Sequence, residues 1–257
     1  MTDLHYQLAG EGKPVVLLHG LFGNLENLNS IKRALQDQYQ VVSLDLPDHG
    51  RSAHSNTFSY DDYARQVLGT LDHLGLEDIA LLGHSMGGKV AMRMAQLAPE
   101  RFDKLMIADI APVAYGHRHQ NVFNGLSAVD LATLSDRKEA DVRMASHIQE
   151  PGVRQFLLKS LYQDEGGWQW RFNLPLLAAE YPDIIDWQAS EKPYSGPTLF
   201  IKGGQSDYIQ ADHRPAILQQ FPNSQGKILQ GAGHWLHAEK PTAFNKIVQD
   251  FLADEAN

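Results

Sequence analysis

The stretch that decides the fold reads Ile-Ala-Leu-Leu-Gly-His-Ser-Met-Gly-Gly and runs from Ile79 to Gly88. Four apolar residues lead into the pattern Gly-x-Ser-x-Gly, and a helical pattern follows it. A serine between a strand and a helix lies on a sharp turn, and small residues two positions to either side relieve the crowding there. The first N–H groups of the following helix favour negative charge beside such a serine. We therefore expect Ser85 to be a nucleophile.

Apolar runs of the same kind recur along the chain. They do not alternate with polar residues, so each is expected to be buried on both faces, as in a parallel sheet covered by helices. They cover residues 14–20, 40–45, 79–83, 104–109 and 198–203. Helical patterns lie near residues 26–37, 60–74, 87–98, 211–220 and 241–253. The alternation predicts an α/β fold, with a mostly parallel, doubly wound sheet flanked by helices.

One long interval departs from this rhythm. Residues 112–195 show no strand-like run, and they carry helical patterns around 120–135, 137–149 and 151–162. The interval is too long to be a plain connection. We expect residues 1–111 and 196–257 to form the core and residues 112–195 to form a helical cap inserted into it. The alternative is that the interval thickens one face of the core.

Composition excludes several classes of function. The chain has 257 residues, with 22 Lys and Arg against 31 Asp and Glu, and this net charge of −9 disfavours nucleic acid and anionic membrane surfaces as partners. The absence of cysteine excludes disulfides, Cys-ligated metals and thiol nucleophiles. Neither a secretory signal in the first residues nor an apolar run of the ~20 residues that span a bilayer is present, so we expect a cytoplasmic protein without stable membrane insertion. The glycine patterns match neither a phosphate-binding loop nor a dinucleotide fingerprint, and we expect no cofactor.

A serine hydroxyl needs a base to accept its proton, and a neutral imidazole suits this role near physiological pH. Of the twelve histidines, His234 is the best placed, in Gly-Ala-Gly-His-Trp at residues 231–235. Its position late in the chain gives the order nucleophile, acid, histidine that belongs to this kind of fold. His237, three residues further on, is expected to be an ordinary hydrogen-bond partner.

Two aspartates are candidates for the acid that orients this histidine. Asp109 lies in the apolar segment Leu-Met-Ile-Ala-Asp-Ile-Ala-Pro, where a carboxylate is costly unless it is paired, and a charged His234 would pair it. Asp207 lies in a polar loop after the run at residues 198–202, where an aspartate needs no special partner. Burial therefore favours Asp109, with Asp207 as the alternative acid.

The developing oxyanion of an acyl-transfer reaction needs two hydrogen-bond donors. One is expected to be the backbone N–H of Met86, directly after the serine. The second is expected from the glycine-containing loop His-Gly-Leu-Phe-Gly at residues 19–23, and we assign it to the N–H of Leu21.

Other side chains are candidates for contact with a substrate. The aromatic candidates, which are equally compatible with a place in the core, are Phe22, Tyr115, Phe123, Trp168, Trp187 and Trp235. The basic residues Arg51, Lys89 and Arg118 are weaker candidates for an anionic group of the substrate. His117 and His119 have no third ligand nearby in the sequence, so we expect no metal site.

Four motifs, at residues 19–23, 45–52, 83–88 and 231–234, stand in the order of the α/β-hydrolase superfamily, which the chain resembles. With the segments 109–112 and 155–160, it more narrowly resembles the bacterial YbfF-like esterases and their mitochondrial relatives. This resemblance implies the α/β-hydrolase fold with a helical cap. It also implies hydrolysis of acyl esters, including thioesters such as acyl-CoA, with Asp109 as the acid. Asp207 stands at the usual position of the superfamily acid and remains the alternative.

The expected reaction is acyl transfer to water through an acyl-enzyme on Ser85. Haloalkane dehalogenases and epoxide hydrolases of this fold carry Asp at the nucleophile position, which makes their chemistry unexpected here. A carbon–carbon bond hydrolase or lyase, or a cofactor-free haloperoxidase-like enzyme, retains the serine and remains an alternative. A ligand-binding protein without catalytic activity is the last alternative. Acyl length, leaving group and oligomeric state do not follow from the sequence.

Overall fold

A computed structural model describes residues 4–254, and a seven-stranded sheet lies at the centre of this part of the chain. Its strands are β1 (Tyr6–Ala9), β2 (Pro14–Leu18), β3 (Gln40–Leu44), β4 (Ile79–His84), β5 (Phe102–Ala108), β8 (Thr198–Gly203) and β9 (Ser224–Leu229), while β6 (Leu161–Asp164) and β7 (Gly167–Trp170) form a separate hairpin. The order across the sheet is β1-β3-β2-β4-β5-β8-β9, and every neighbouring pair is parallel except β1 with β3. The expected mostly parallel, doubly wound sheet is confirmed.

Helices cover both faces of this sheet. They are α1 (Asn29–Leu35), α2 (Tyr60–His73), α3 (Met86–Leu97), α4 (Gln120–Ser127), α5 (Arg137–Ala145), α6 (Pro151–Leu158), α7 (Leu174–Ala179), α8 (Tyr181–Ile185), α9 (Arg214–Gln220), α10 (Leu236–Glu239) and α11 (Pro241–Ala253). Val15 and Leu17 of β2 pack into the same apolar cluster as residues of α1 and α11. Val16 and Leu18 pack with α2, α3 and the segment 112–195 on the other face. Both side-chain sets of one strand are buried, which explains why the sequence runs are continuously apolar.

Four strands were not expected from the sequence. β1 and β9 are the edge strands, and β9 is exposed over most of its length, so neither carries a continuous apolar run. The hairpin of β6 and β7 shows that the expectation of no strand within residues 112–195 is wrong. Its turn ends at Gly167, whose φ of +101° few other residues adopt. A two-stranded, half-exposed hairpin lacks the apolar signal by which the core strands were recognised.

One attachment of the segment 112–195 to the sheet domain is centred on the buried carboxylate of Asp48. It accepts hydrogen bonds from the Tyr63 hydroxyl at 2.7 Å, from Ser55 N–H and hydroxyl at 2.7 and 2.6 Å, and from the Asn173 amide at 2.8 Å. Burial raises the pKa of Asp48, but these hydrogen bonds outweigh it and hold the pKa below its usual value. Because Asn173 belongs to the inserted segment, the carboxylate ties that segment to the loop after β3.

The second attachment is made by Lys89 of α3. Its side chain is buried, and Nζ donates to the carbonyl oxygens of Ile185 at 3.0 Å and Asp186 at 2.8 Å. The rings of Tyr60 and Tyr115 lie 5.6 and 5.0 Å from Nζ. Burial lowers the Lys89 pKa to about 7, and the Asp186 carboxylate opposes this shift only partly. Lys89 therefore fastens the end of α8 to the sheet domain.

Within residues 4–254, no helix is both long and apolar enough to cross a bilayer. Residues 1–3, which contribute to the expectation about a secretory signal, lie outside the described residues.

The burial of Lys89 predicts an unusual dependence of stability on pH. The pKa is about 7 in the folded protein and about 10.4 in the unfolded chain, so between these values the unfolded chain holds more protons. The free energy of unfolding of the wild type, relative to that of Lys89→Met, should therefore rise with pH above 7, by at most about 1.4 kcal/mol per pH unit. Urea denaturation at pH 7, 8 and 9 measures this difference. Lys192→Met, at an exposed position, should show no such slope, and a flat difference for Lys89→Met would contradict the assignment.

Candidate active site

Ser85 occupies the turn between β4 and α3 in a strained conformation, with φ of 53° and ψ of −123°. Its N–H donates to the carbonyl of Ala108 at 3.0 Å, which fixes the turn to β5. A Cβ on Gly83 would lie 2.2 Å from the carbonyl oxygen of Gly87, and one on Gly87 would lie 2.3 Å from that of His19. The two glycines are thus required by close backbone approach, as the sequence pattern indicates.

His234 lies in the loop between β9 and α10, next to Ser85. Its Nε2 is 3.0 Å from Ser85 Oγ, and its Nδ1 is 2.8 Å from Asp109 Oδ2. The ring of Tyr208 stacks on the imidazole, with centroids 3.8 Å apart and planes 17° apart. His84 Nε2 lies 2.8 Å from the carbonyl oxygen of His234, and this contact holds the loop against the end of β4. Burial keeps the pKa of His84 well below its ordinary value, so it is a neutral donor.

Asp109 follows β5 and is fully buried, with a φ of 53°. Its Oδ1 accepts from the N–H of Gly203 at 2.9 Å, and its Oδ2 accepts from the hydroxyl of Ser206 and faces His234. The main-chain N–H of Asp109 donates to Ile201 at 2.9 Å. These bonds hold the carboxylate in one orientation and compensate its burial. The role of Ser206 was missed by the sequence reasoning, because a serine in a polar loop gives no signal of its own.

Asp207 lies elsewhere. Its carboxylate is 67% exposed and forms an ion pair with Arg118. Among the described residues, it is Asp109 and not Asp207 that the structure brings to His234.

The loop at residues 19–23 lies against the serine turn, since a Cβ on Gly20 would be 3.2 Å from Ser85 Cβ. Within the described part of the chain, the N–H groups of Phe22 and Gly23 have acceptors, whereas that of Leu21 has none. Met86 is the first residue of α3, where an N–H has no acceptor in its own helix. In the part of the chain that the structure describes, both expected oxyanion donors are therefore free of intramolecular hydrogen bonds.

Two buried histidines support this loop, and the sequence reasoning assigned them no role. His49 Nε2 accepts from the N–H of Phe22 at 3.1 Å, while its Nδ1 lies 2.8 Å from the carbonyl of Pro47. His19 Nε2 accepts from the N–H of Leu46 at 3.0 Å. Burial lowers the pKa of His19 to about 4 and that of His49 to about 3. Each ring is therefore neutral and able to accept a hydrogen bond at Nε2.

A cavity of about 320 Å³ opens above Ser85 and His234. Two of the six aromatic candidates, Phe22 and Trp235, line its wall from the side of the sheet. Residues 112–195 contribute the opposite wall, mainly from α4, α6 and the preceding loops. These residues are Arg118, His119, Asn121, Val122, Glu150, Val153, Phe156 and Leu157.

The other four aromatic candidates are not brought to this cavity. The Tyr115 hydroxyl donates to Tyr208 O at 2.6 Å and accepts from the N–H of Ala111. Phe123 is buried behind Phe22, with ring centroids 5.3 Å apart. The two tryptophans lie in other parts of the inserted segment. Trp168 belongs to β7, and Trp187 Nε1 donates to Gln220 Oε1 at 3.0 Å.

Of the weaker candidates, Arg118 lines the cavity, whereas Lys89 is buried and Arg51 lies in a different pocket. His119 Nδ1 is 2.7 Å from the hydroxyl of Tyr181. Within residues 4–254, no group of three or more His, Asp or Glu side chains is arranged to hold a metal ion.

Comparison with known proteins identifies the family of the chain. Residues 13–241 match the model of the alpha/beta hydrolase fold family. The chain is 40% identical over 242 residues to Esterase YbfF of Escherichia coli (strain K12), with 94% of this chain and 93% of that protein covered. It is 39% identical over 247 residues to the sn-1-specific diacylglycerol lipase ABHD11 of Mus musculus, with 93% of this chain and 80% of that protein covered.

Among solved structures, one described as a marine microorganism esterase superposes with a TM-score of 0.94 at 34% identity, covering 97% of this chain and 99% of its own. Relatives and family model extend along nearly the whole chain, so the likeness is not confined to the serine turn. This protein belongs to the alpha/beta hydrolase family.

Proposed function

We propose that the protein is a serine esterase that hydrolyses carboxylic acyl esters through an acyl-enzyme intermediate. The observation that carries this proposal is the continuous hydrogen-bonded chain from Ser85 through His234 to Asp109 at the floor of the cavity. Relatives named as esterases and a lipase support the same class of reaction. Ser85 is the nucleophile, His234 the general base and Asp109 the acid.

In the acylation step, Ser85 Oγ attacks the carbonyl carbon of the ester while its proton passes to His234 Nε2, 3.0 Å away. The imidazolium formed is stabilised by the Asp109 carboxylate, 2.8 Å from Nδ1. His234 then returns the proton to the leaving alcohol or thiol, and the acyl group stays on Ser85. The N–H groups of Leu21 and Met86 hold the negative oxygen of the tetrahedral intermediate.

In the deacylation step, His234 removes a proton from a water molecule, which attacks the acyl carbon. Collapse of the second tetrahedral intermediate breaks the bond to Ser85 Oγ, and His234 protonates Oγ. The products are the free carboxylic acid and the original enzyme. No cofactor takes part.

We propose that residues 112–195 act as a cap, because they supply one wall of the cavity from a segment separate from the sheet domain. Phe22 and Trp235 contact the substrate from the opposite wall. The same chemistry extends to thioesters such as acyl-CoA, since a thiol is a better leaving group than an alcohol and needs no additional residue.

The proposal is tested by labelling with a fluorophosphonate, which reacts with an activated serine. The wild type should be labelled on the peptide that contains Ser85, and Ser85→Ala should be neither labelled nor active on p-nitrophenyl esters. Ser190→Ala, at a serine outside the cavity, serves as the matched control and should behave like the wild type. Absence of label in the wild type, with no ester turnover, would favour a non-catalytic protein. Labelling without turnover of any ester would favour carbon–carbon bond chemistry.

The acid is tested by comparing Asp109→Asn with Asp207→Asn. Loss of the Asp109 charge removes both the orientation of His234 and the stabilisation of its charged form, so kcat should fall by about 10³–10⁴-fold. Asp207 forms an exposed ion pair with Arg118, and its variant should retain kcat within about threefold. Steady-state kinetics on one p-nitrophenyl ester gives both values. If kcat falls by this amount in Asp207→Asn and not in Asp109→Asn, the assignment of the acid is wrong.

His49 is expected to be a positioning residue for the oxyanion loop, because it accepts the N–H adjacent to that of Leu21. His49→Leu removes the acceptor, and kcat should fall by about tenfold or more with little change in KM, since a donor acts mainly in the transition state. His49→Gln, which supplies an amide oxygen, should recover part of the loss. The exposed His54→Leu is the control. A KM effect alone, or no recovery with glutamine, would indicate a merely structural role.

A further inference from the structure

A second pocket, of about 210 Å³, lies between the sheet domain and the inserted segment, outside the Ser85 cavity. Four basic side chains line it: Arg51 from the loop after β3, and Arg137, Lys159 and Arg171 from the segment 112–195. None of the four forms an ion pair with another residue in the range 4–254. We refer to this site as the basic pocket. Four cations that form no ion pair among the described residues are unexpected in a chain whose net charge is −9.

Two carboxylates also border the basic pocket, and they neutralise it only in part. Asp45 is buried, and its two oxygens accept main-chain N–H groups, from Leu25 at 2.7 Å and from Arg51 at 2.9 Å. Glu26 is exposed. Four cations therefore face two carboxylates, which leaves an excess of two positive charges, and the pocket favours an anion.

Two of the cations are held in place. The guanidinium of Arg171 lies 4.3 Å from the ring centroid of Tyr162, and that of Arg137 donates to the carbonyl of Leu161 at 2.8 Å. Guanidinium groups bind phosphate through paired N–H donors, and fixing them before binding reduces the entropy lost on association. Arg51 and Lys159 make no side-chain hydrogen bond in the described part of the chain and remain available to a ligand.

A groove of about 410 Å³, mostly apolar but also lined by Glu26 and Glu150, borders both the basic pocket and the Ser85 cavity. It shares Glu26 and Lys159 with the basic pocket, and it shares Val153, Phe156 and Trp235 with the cavity. Val153, Phe156 and Lys159 recur every three residues along α6 and its C-cap, so they lie near one side of the helix. They extend over about 9 Å of helix axis. One elongated molecule is therefore able to reach from Ser85 to the basic pocket.

We propose that the basic pocket binds the phosphate groups of a phosphorylated leaving group while the acyl carbonyl lies at Ser85 and an uncharged linker occupies the groove. The inference rests on the proposed esterase function, and no bond to phosphorus changes in the reaction. Phosphate on the alcohol or thiol part is common to two sources, a coenzyme A thioester and a glycerophosphate ester of a lipid. Both present an anion separated from the acyl carbonyl by a neutral spacer.

The kinetic test compares substrates with and without phosphate on the same acyl group. The pairs are butyryl-CoA against butyryl-N-acetylcysteamine, and 1-butyryl-glycerol 3-phosphate against 1-butyryl-glycerol. In the double variant Arg51→Gln/Lys159→Gln, the ratio of kcat/KM within a pair should fall by about tenfold or more through KM. The same ratio in the wild type should fall as ionic strength rises. A fall for one pair alone identifies the source of the phosphate.

The matched control is Lys192→Gln/Lys227→Gln, which removes the same charge at exposed positions outside the basic pocket. Its ratios should equal those of the wild type. If both double variants lose the ratio equally, the effect is one of total charge and the proposal is overturned. If neither ratio changes in the pocket variant, the proposal is overturned as well.

A binding measurement separates this inference from the proposed catalysis. Calorimetric titration of Ser85→Ala with pyrophosphate and with coenzyme A requires no turnover. Binding of either ligand should weaken by about tenfold when Arg51→Gln/Lys159→Gln is added and not when the control pair is added. Binding with this pattern in a protein that hydrolyses no ester would retain the anion site and reject the esterase function. Ester hydrolysis without binding of either ligand would retain the esterase function and reject the anion site.

Discussion

The close approach of backbone at the end of β4 is the constraint on which the rest of the site depends. Carbonyl oxygens lie where any side chain on Gly83 or Gly87 would have to stand, so α3 begins directly against the sheet. Ser85 is forced into a strained conformation, at a cost of order 1–3 kcal/mol that the surrounding sheet must offset. The side chain of Ser85 then lies at the end of β4. The same contact brings the loop at residues 19–23 to within reach of Ser85, since Gly87 packs on the carbonyl of His19.

A second constraint follows from the first, at the neighbouring strand. The N–H of Ser85 donates to the carbonyl of Ala108. Asp109 directly follows Ala108, so it lies at the same edge of the sheet as Ser85. There it is fully buried, and an unpaired carboxylate in that place would be very costly. Gly203, Ser206 and His234 each donate to it. The site is thus stable only when its histidine loop and the loop after β8 are both in place, which couples the chemistry to the packing of three separate chain segments.

Much of the fold and of the candidate site was predictable, because the sequence patterns that indicate them lie within short stretches of the chain. The glycines around Ser85 and the apolar runs of β2 to β5 report backbone crowding and burial on both faces, and both properties are carried by neighbouring residues. Burial and the family resemblance together favoured Asp109 over Asp207 as the acid, and the structure places Asp109, not Asp207, beside His234. The supports at His49 and Ser206 were not predictable, since each depends on a partner far away in the chain. Edge strand β9 and the hairpin of β6 and β7 were missed because exposed strands carry little apolar pattern.

The buried histidines around the site clarify why His234 stands apart from them. Burial lowers the pKa values of His19, His49, His84 and His237, so all four are neutral near pH 7. A cation at any of these positions would disfavour a charge on His234 by repulsion across a medium that screens poorly. Asp109 is the single carboxylate that bonds to the His234 ring among the described residues. In the proposed mechanism the proton of Ser85 therefore passes to His234, whose ring is the one paired with a carboxylate, that of Asp109. The neutral histidines hold loops in place and do not compete for that proton.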